Sequence, residues 1–216
     1  KDEKPTEDEG FIGDVCFVIS EEKIVPPEPP PVPGMVLIPH SQYTISAAGG
    51  TATKKGQGQV EFTGVTSLSL DGVFTADFDN YVVSLQGKFD AAGGVGATMR
   101  LRSAGTDASG SNYTLQRISA DGTSVTAARS TSKTNMQLGV LSGPTYPNGT
   151  TIYVYGPYLA QPTAARNVGA DNTNSAQVRD HAATHSLSTS YDGFTLEMFF
   201  STAGSTGKLQ VYGVRS

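Results

Sequence analysis

The sequence predicts an all-β protein: an antiparallel, jelly-roll-like β-sandwich preceded by an extended arm that is first acidic and then proline-rich. Three observations carry this prediction. Apolar and polar residues alternate at a period of two in run after run, the mark of strands with one face turned inward. Turn dipeptides such as Asp71-Gly72, Asp121-Gly122, Asn148-Gly149 and Asp192-Gly193 separate those runs. Glycine, serine and threonine together fill 70 of 216 positions while charged residues fill only 16%. A helical bundle or coiled coil shows the opposite bias, toward Ala, Glu, Lys and Leu.

Along the chain, residues 1–24 come first and are acidic. Their apolar residues are confined to Phe11, Ile12, Val15, Phe17, Val18 and Ile19. That run is too short to enclose a core. Two readings fit it: a docking strand that adds to the edge of a neighbour's sheet through backbone hydrogen bonds, or a disordered acidic arm. Residues 25–33 follow, with Pro26, Pro27, Pro29, Pro30, Pro31 and Pro33. Proline fixes φ and removes the backbone donor, so polyproline II is favoured, at about 3.1 Å per residue a rod of roughly 28 Å. The segment also contains PxxP spacing, a ligand pattern for SH3-type domains. Its position between arm and body favours the spacer.

Residues 34–58 are glycine-rich and read as a connector or as edge strands. The sandwich is expected from 59 to 216. Within it Tyr81, Val83 and Leu85 alternate with Val82, Ser84 and Gln86, and Met99 and Leu101 with Arg100 and Arg102. The same pattern holds for Ile152 and Val154 against Tyr153 and Tyr155, for Phe194, Leu196 and Met198 against Thr195 and Glu197, and for Leu209 and Val211 against Gln210 and Tyr212. Only residues 174–183 invite a short helix. At 37% hydrophobic residues, the chain has apolar side chains for one sizeable core.

Charge is uneven. Residues 1–33 hold nine acids and three bases, and residues 34–216 hold eleven acids and twelve bases. The net charge of −5 therefore belongs to the arm. Nucleic-acid binding needs a basic stripe, and none is present, so no nucleic-acid partner is expected. No run of 18 apolar residues occurs, so no membrane insertion through a helix is expected. No basic stretch followed by an apolar run opens the sequence, so no signal peptide is expected. Cys16 stands alone, which excludes an intrachain disulfide scaffold.

Catalytic and metal-binding patterns are incomplete. His181 and His185 have i, i+4 spacing, but Ala182 stands where a zinc hydrolase carries its glutamate base. They and His40 read as surface histidines. Asp77 and Asp79 would share one face of a strand, as an acid–base pair or, with Asn80, as cation ligands. Placed just before a strand, they read better as turn residues. No catalytic residue, cofactor or metal is expected. Tyr153, Tyr155 and Tyr158 are the candidate binding residues. Tyr153 and Tyr155 share one strand face, and such aromatics serve subunit interfaces or stack against sugars.

The C-terminal run SYDGFTLEMFFSTAGSTGKLQVYGVRS (190–216) resembles the closing hairpin of β-sandwich modules in virion proteins of tailed bacteriophages. DNYVVSLQGKF (79–89), MRLRSAGTDASGSNYTLQ (99–116) and YGPYLAQPT (155–163) are similar to the same modules. The resemblance implies a non-enzymatic structural component on the particle exterior, in a tail, collar, or head fibre, spike or decoration protein. Its partners would be other virion proteins and copies of itself, with a homotrimer the usual state. A host-surface glycan would be a further partner. The alternative is a carbohydrate-binding module using Tyr153, Tyr155 and Tyr158.

Overall fold

A computed structural model describes residues 34–89, 94–142, 148–171, 177–198 and 204–215. The docking segment at 11–19 and the proline spacer at 25–33 lie outside the described residues. The described chain is strand throughout, apart from turns and one 3-10 turn at His40–Gln42. Its strands are β1 (Gly34–Leu37), β2 (Thr44–Ala48), β3 (Thr51–Lys55), β4 (Gln59–Val65), β5 (Ser67–Asp71), β6 (Asn80–Phe89), β7 (Gly94–Ser103) and β8 (Thr106–Asp107). There follow β9 (Tyr113–Asp121), β10 (Ser124–Lys133), β11 (Met136–Ser142), β12 (Asn148–Tyr155), β13 (Thr163–Asp171), β14 (Gln177–His185), β15 (Gly193–Met198) and β16 (Ser205–Arg215).

These strands form two antiparallel sheets packed face to face, the sandwich that the alternation predicts. The larger runs β10-β9-β14-β13-β12-β6-β16-β4-β3, with β1 also pairing β16. The smaller runs β11-β7-β15-β5-β2, with β8 on β7. The chain passes repeatedly from one sheet to the other, as in jelly rolls. Residues 34–58 supply strands to both: β3 edges the larger sheet and β2 the smaller, and Ile38 and Tyr43, between β1 and β2, are buried.

The core lies between the sheets. Val83 and Leu85 of β6, Ile152 and Val154 of β12 and Leu209 and Val211 of β16 meet Met99 and Leu101 of β7, Leu68 and Leu70 of β5 and Phe194 and Leu196 of β15. Burying each such side chain contributes about 1.5–3 kcal/mol against the chain entropy lost on folding. Two buried tyrosines fasten loops to this core with satisfied hydroxyls. Tyr81 Oη donates to the Thr75 carbonyl at 2.9 Å and accepts from the Thr75 amide at 2.6 Å. Tyr113 Oη donates to the Ala108 carbonyl at 2.9 Å and accepts from the Leu101 amide at 3.2 Å. Burial pushes both phenols above their ordinary pKa, so they stay neutral donors.

One element departs from expectation. Residues 177–183 are the body of strand β14, hydrogen-bonded to β13 and β9, where a helix was expected. A spacing of four residues returns to the same face in a strand as well as approximately in a helix. The His181–His185 pair therefore could not separate the two.

Candidate functional site

β12, with the sequence NGTTIYVY, sets the geometry of the candidate site. Asn148, Thr150, Ile152 and Val154 turn inward and are buried; Gly149, Tyr153 and Tyr155 turn outward and are exposed, with Thr151 half-buried. Tyr153 and Tyr155 are 39% and 44% exposed, large areas for aromatic residues in the middle of a sheet. Tyr158 lies in the loop after β12 and is also exposed, its carbonyl accepting from Ser190 Oγ at 2.5 Å.

Register extends this outward face across the larger sheet. Tyr153 lies between Val82 of β6 and Arg166 of β13, with Tyr212 of β16 on the far side of Val82. The next row holds Gln210, Ser84, Thr151, Val168, Asp180 and Ile118. The row after that holds Lys208, Gln86 and Gly149. Here the surface is concave: a groove of about 550 Å³ is lined by Ser84, Gln86, Gly149, Thr151, Lys208 and Gln210, with Val168 and Val178 at its side. Gly149 leaves its floor open, since a Cβ built there meets nothing within 4 Å.

Beside Tyr153, Arg166 pairs with Asp180, Nε to Oδ1 at 3.0 Å and Nη2 to Oδ2 at 2.5 Å. The hydrogen bond from Arg166 holds the Asp180 carboxyl below the usual carboxylate range. The fork is planar and fixed, and it leaves guanidinium N–H groups and carboxylate lone pairs free for further bonds. Hydroxyls, amides, a fixed ion pair and exposed rings thus share one surface. That combination suits a polyhydroxylated ligand with apolar C–H faces.

The other candidates fall elsewhere. Asp77 is a turn residue: its Oδ2 accepts from Thr75 Oγ1 at 3.1 Å and its amide donates to the same oxygen at 3.3 Å. Asp79 holds the end of β12 through its carbonyl, which accepts from the Gly156 amide at 2.9 Å. Among the described residues no group of three or more His, Cys, Asp or Glu is placed to hold a metal ion. The expectation of surface histidines is corrected for β14. His181 is 4% exposed and His185 fully buried, because β14 turns its odd-numbered residues toward the core. His185 packs edge-on against Tyr113 and Tyr191, with its Nδ1 3.1 Å from Tyr191 Oη. His40 is half-buried and bonds the Gln59 carbonyl through Nε2 at 2.9 Å. Burial lowers the pKa of both His181 and His185, so both are neutral at pH 7.

No family model matches the chain, and no curated protein matches it. Among solved structures, it is similar to the exoplasmic/lumenal domain of VIP36 in a Ca2+/Man3GlcNAc-bound form. The identity is 10%, the match covers 83% of this chain and 88% of that chain, and the TM-score is 0.32. A superposition that loose carries nothing about what this chain binds.

Proposed function

We propose that the chain is a non-enzymatic recognition module that binds carbohydrate on the outer face of its larger sheet. The observation that carries this reading is the placement of Tyr153 and Tyr155, exposed in succession along β12 from the end of the groove lined by Ser84, Gln86, Thr151, Lys208 and Gln210. Pyranose rings present C–H faces that pack on aromatic rings, and hydroxyl edges that exchange hydrogen bonds with amides and hydroxyls. The groove supplies the polar partners, and the Tyr153 ring follows two residues along β12 from Thr151 at its edge, about 7 Å away. A shallow, pre-formed site of this sort binds weakly per copy and gains through repetition on one carrier. The resemblance to virion modules supplies such a carrier, with residues 1–33 as docking arm and spacer and the sandwich facing the host.

The test is a glycan array probed with the full chain and with the Tyr153→Ala and Tyr155→Ala variants. Binding to one class of glycan, reduced about tenfold or more by either substitution, supports the reading. No binding, or binding that both variants retain, removes it.

A second reading rests on a different observation. Ile118, Val125, Val168 and Val178 lie on neighbouring strands of the same face, between 40% and 73% exposed. Four apolar side chains on one patch fit burial against another copy of the chain. This is the structural-component reading, with the trimer that the resemblance implies. Light scattering on the eluting full chain measures it. A stable monomer at all concentrations counts against it.

A further inference from the structure

Between β9, β10 and β14 of the larger sheet and β11 of the smaller, Leu115, Arg117, Ala128, Ser130, Gln137 and His181 line a cavity of about 120 Å³. That is room for roughly four waters at liquid density. His181 lies opposite Arg117 in the β14–β9 register. Its Nδ1 stands 3.2 Å from the Gln137 carbonyl oxygen, which only accepts. Nδ1 therefore carries the proton, and Nε2 of the neutral ring is a bare acceptor. That atom is buried and has no partner.

Its surroundings carry no donor settled on it and an excess of positive charge. Arg117 comes from β9. Arg179, two residues along β14, faces the same side and is engaged in an interaction of its own. Asp180 faces the opposite side, in the pair with Arg166. β10 brings Ala128 and Ser130, β11 the Gln137 carbonyl between Met136 and Leu138, and β13 Asn167, none of them charged. Burial above all, and then the charges of Arg117 and Arg179, keep the proton off His181 against the Gln137 carbonyl and the more distant Asp180, which favour it.

We propose that this cavity is a site for a small oxyanion, a carboxylate or phosphate group, held between the Arg117 guanidinium, the Ser130 hydroxyl and the Nε2–H of protonated His181. The anion cancels the positive charge that disfavours the imidazolium, and the imidazolium supplies the missing donor. Binding therefore takes up one proton from solution at the His181 Nε2, and affinity rises as pH falls. The site is independent of the carbohydrate face, which lies on the opposite side of the same sheet.

The experiment follows the His181 imidazole nitrogen resonances of the full chain at about pH 6, during titration with sulfate, phosphate and acetate, with chloride at matched ionic strength as control. The expected result is a saturable shift with at least one oxyanion, a proton taken up on binding, and about tenfold weaker binding in Arg117→Gln. Arg117→Lys and Ser130→Ala retain weaker binding, and decide the matter should Arg117→Gln fail to fold. No saturable shift, an equal response to chloride, or full retention of binding in the Arg117 and Ser130 variants overturns the proposal.

Discussion

On the outer face of the smaller sheet, the charged side chains are bonded to one another. Arg102 Nε meets Asp71 at 2.7 Å and its Nη1 meets Asp107 at 2.5 Å, and it also bonds the Gly105 carbonyl. Arg100 pairs with Glu197, and Thr195 Oγ1 links Ser69 and Asp107 at 2.8 and 2.7 Å. On the outer face of the larger sheet, Tyr153, Tyr155, Ile118 and Val178 stand exposed, Val178 at the side of the groove, and Arg166 pairs with Asp180. The first face bonds its charged groups to one another. The second leaves rings, amides and hydroxyls available. One sandwich thus carries a self-bonded face and an open face, told apart by where the polar groups find their partners.

Glycine gives the sharpest contrast between the two. Gly193 lies on the outward side of β15, and a Cβ there would sit 2.1 Å from the Leu70 carbonyl oxygen. Gly193→Ala is expected to lower stability by about 3 kcal/mol or more, because backbone of β5 must move. Urea denaturation measures it, and a variant as stable as the parent would break the comparison. The lattice itself comes next. Arg102 has 12% of its side chain exposed. Arg102→Ala leaves Asp71 and Asp107 without their main partner, for a loss of about 2–3 kcal/mol. Arg166→Ala, on the open face, is expected to leave the same denaturation midpoint unchanged, since its side chain is 57% exposed.

A smaller effect comes from acid. His181 and His185 have pKa values lowered by burial. The unfolded chain, titrating near 6.5, then binds protons that the folded one refuses. The stability from keeping them neutral is fully present above about pH 6.5 and is lost as pH falls toward their folded values. The denaturation midpoint should therefore drop between about pH 7 and 5. The drop should shrink in His181→Gln, and also in the parent when a bound oxyanion pays the cost of the imidazolium. A flat profile over that range would contradict the burial of both rings.

Much of the sandwich was legible because large apolar residues mark one face of each core strand. Tyr81, Val83 and Leu85, or Phe194, Leu196 and Met198, announce both the strand and the side it buries. The strands that escaped are those without such a face. β10, with the sequence SVTAARSTSK, is exposed along most of its length. β14 places alanines and histidines where the core strands place leucines, so its period was ambiguous. Of the candidate site, the pair Tyr153 and Tyr155 follows from alternation alone. The groove beside them does not. Ser84, Thr151, Lys208 and Gln210 become neighbours only through the register of β12, β6 and β16, which no local pattern encodes. The cavity at His181 depends in the same way on register, which sets β14 beside the consecutive strands β9, β10 and β11.

The claim that the open face binds carbohydrate is tested most directly at Gly149. A side chain there enters empty space, with no neighbour within 4 Å and no left-handed backbone to strain, so Gly149→Val fills the groove and leaves the sandwich intact. Titration of a bound glycan into parent and variant, with matched denaturation curves, is the measurement. The account predicts unchanged stability and affinity reduced about tenfold or more, since the groove's polar groups lose their access to the ligand. Equal affinity in the two proteins would contradict it.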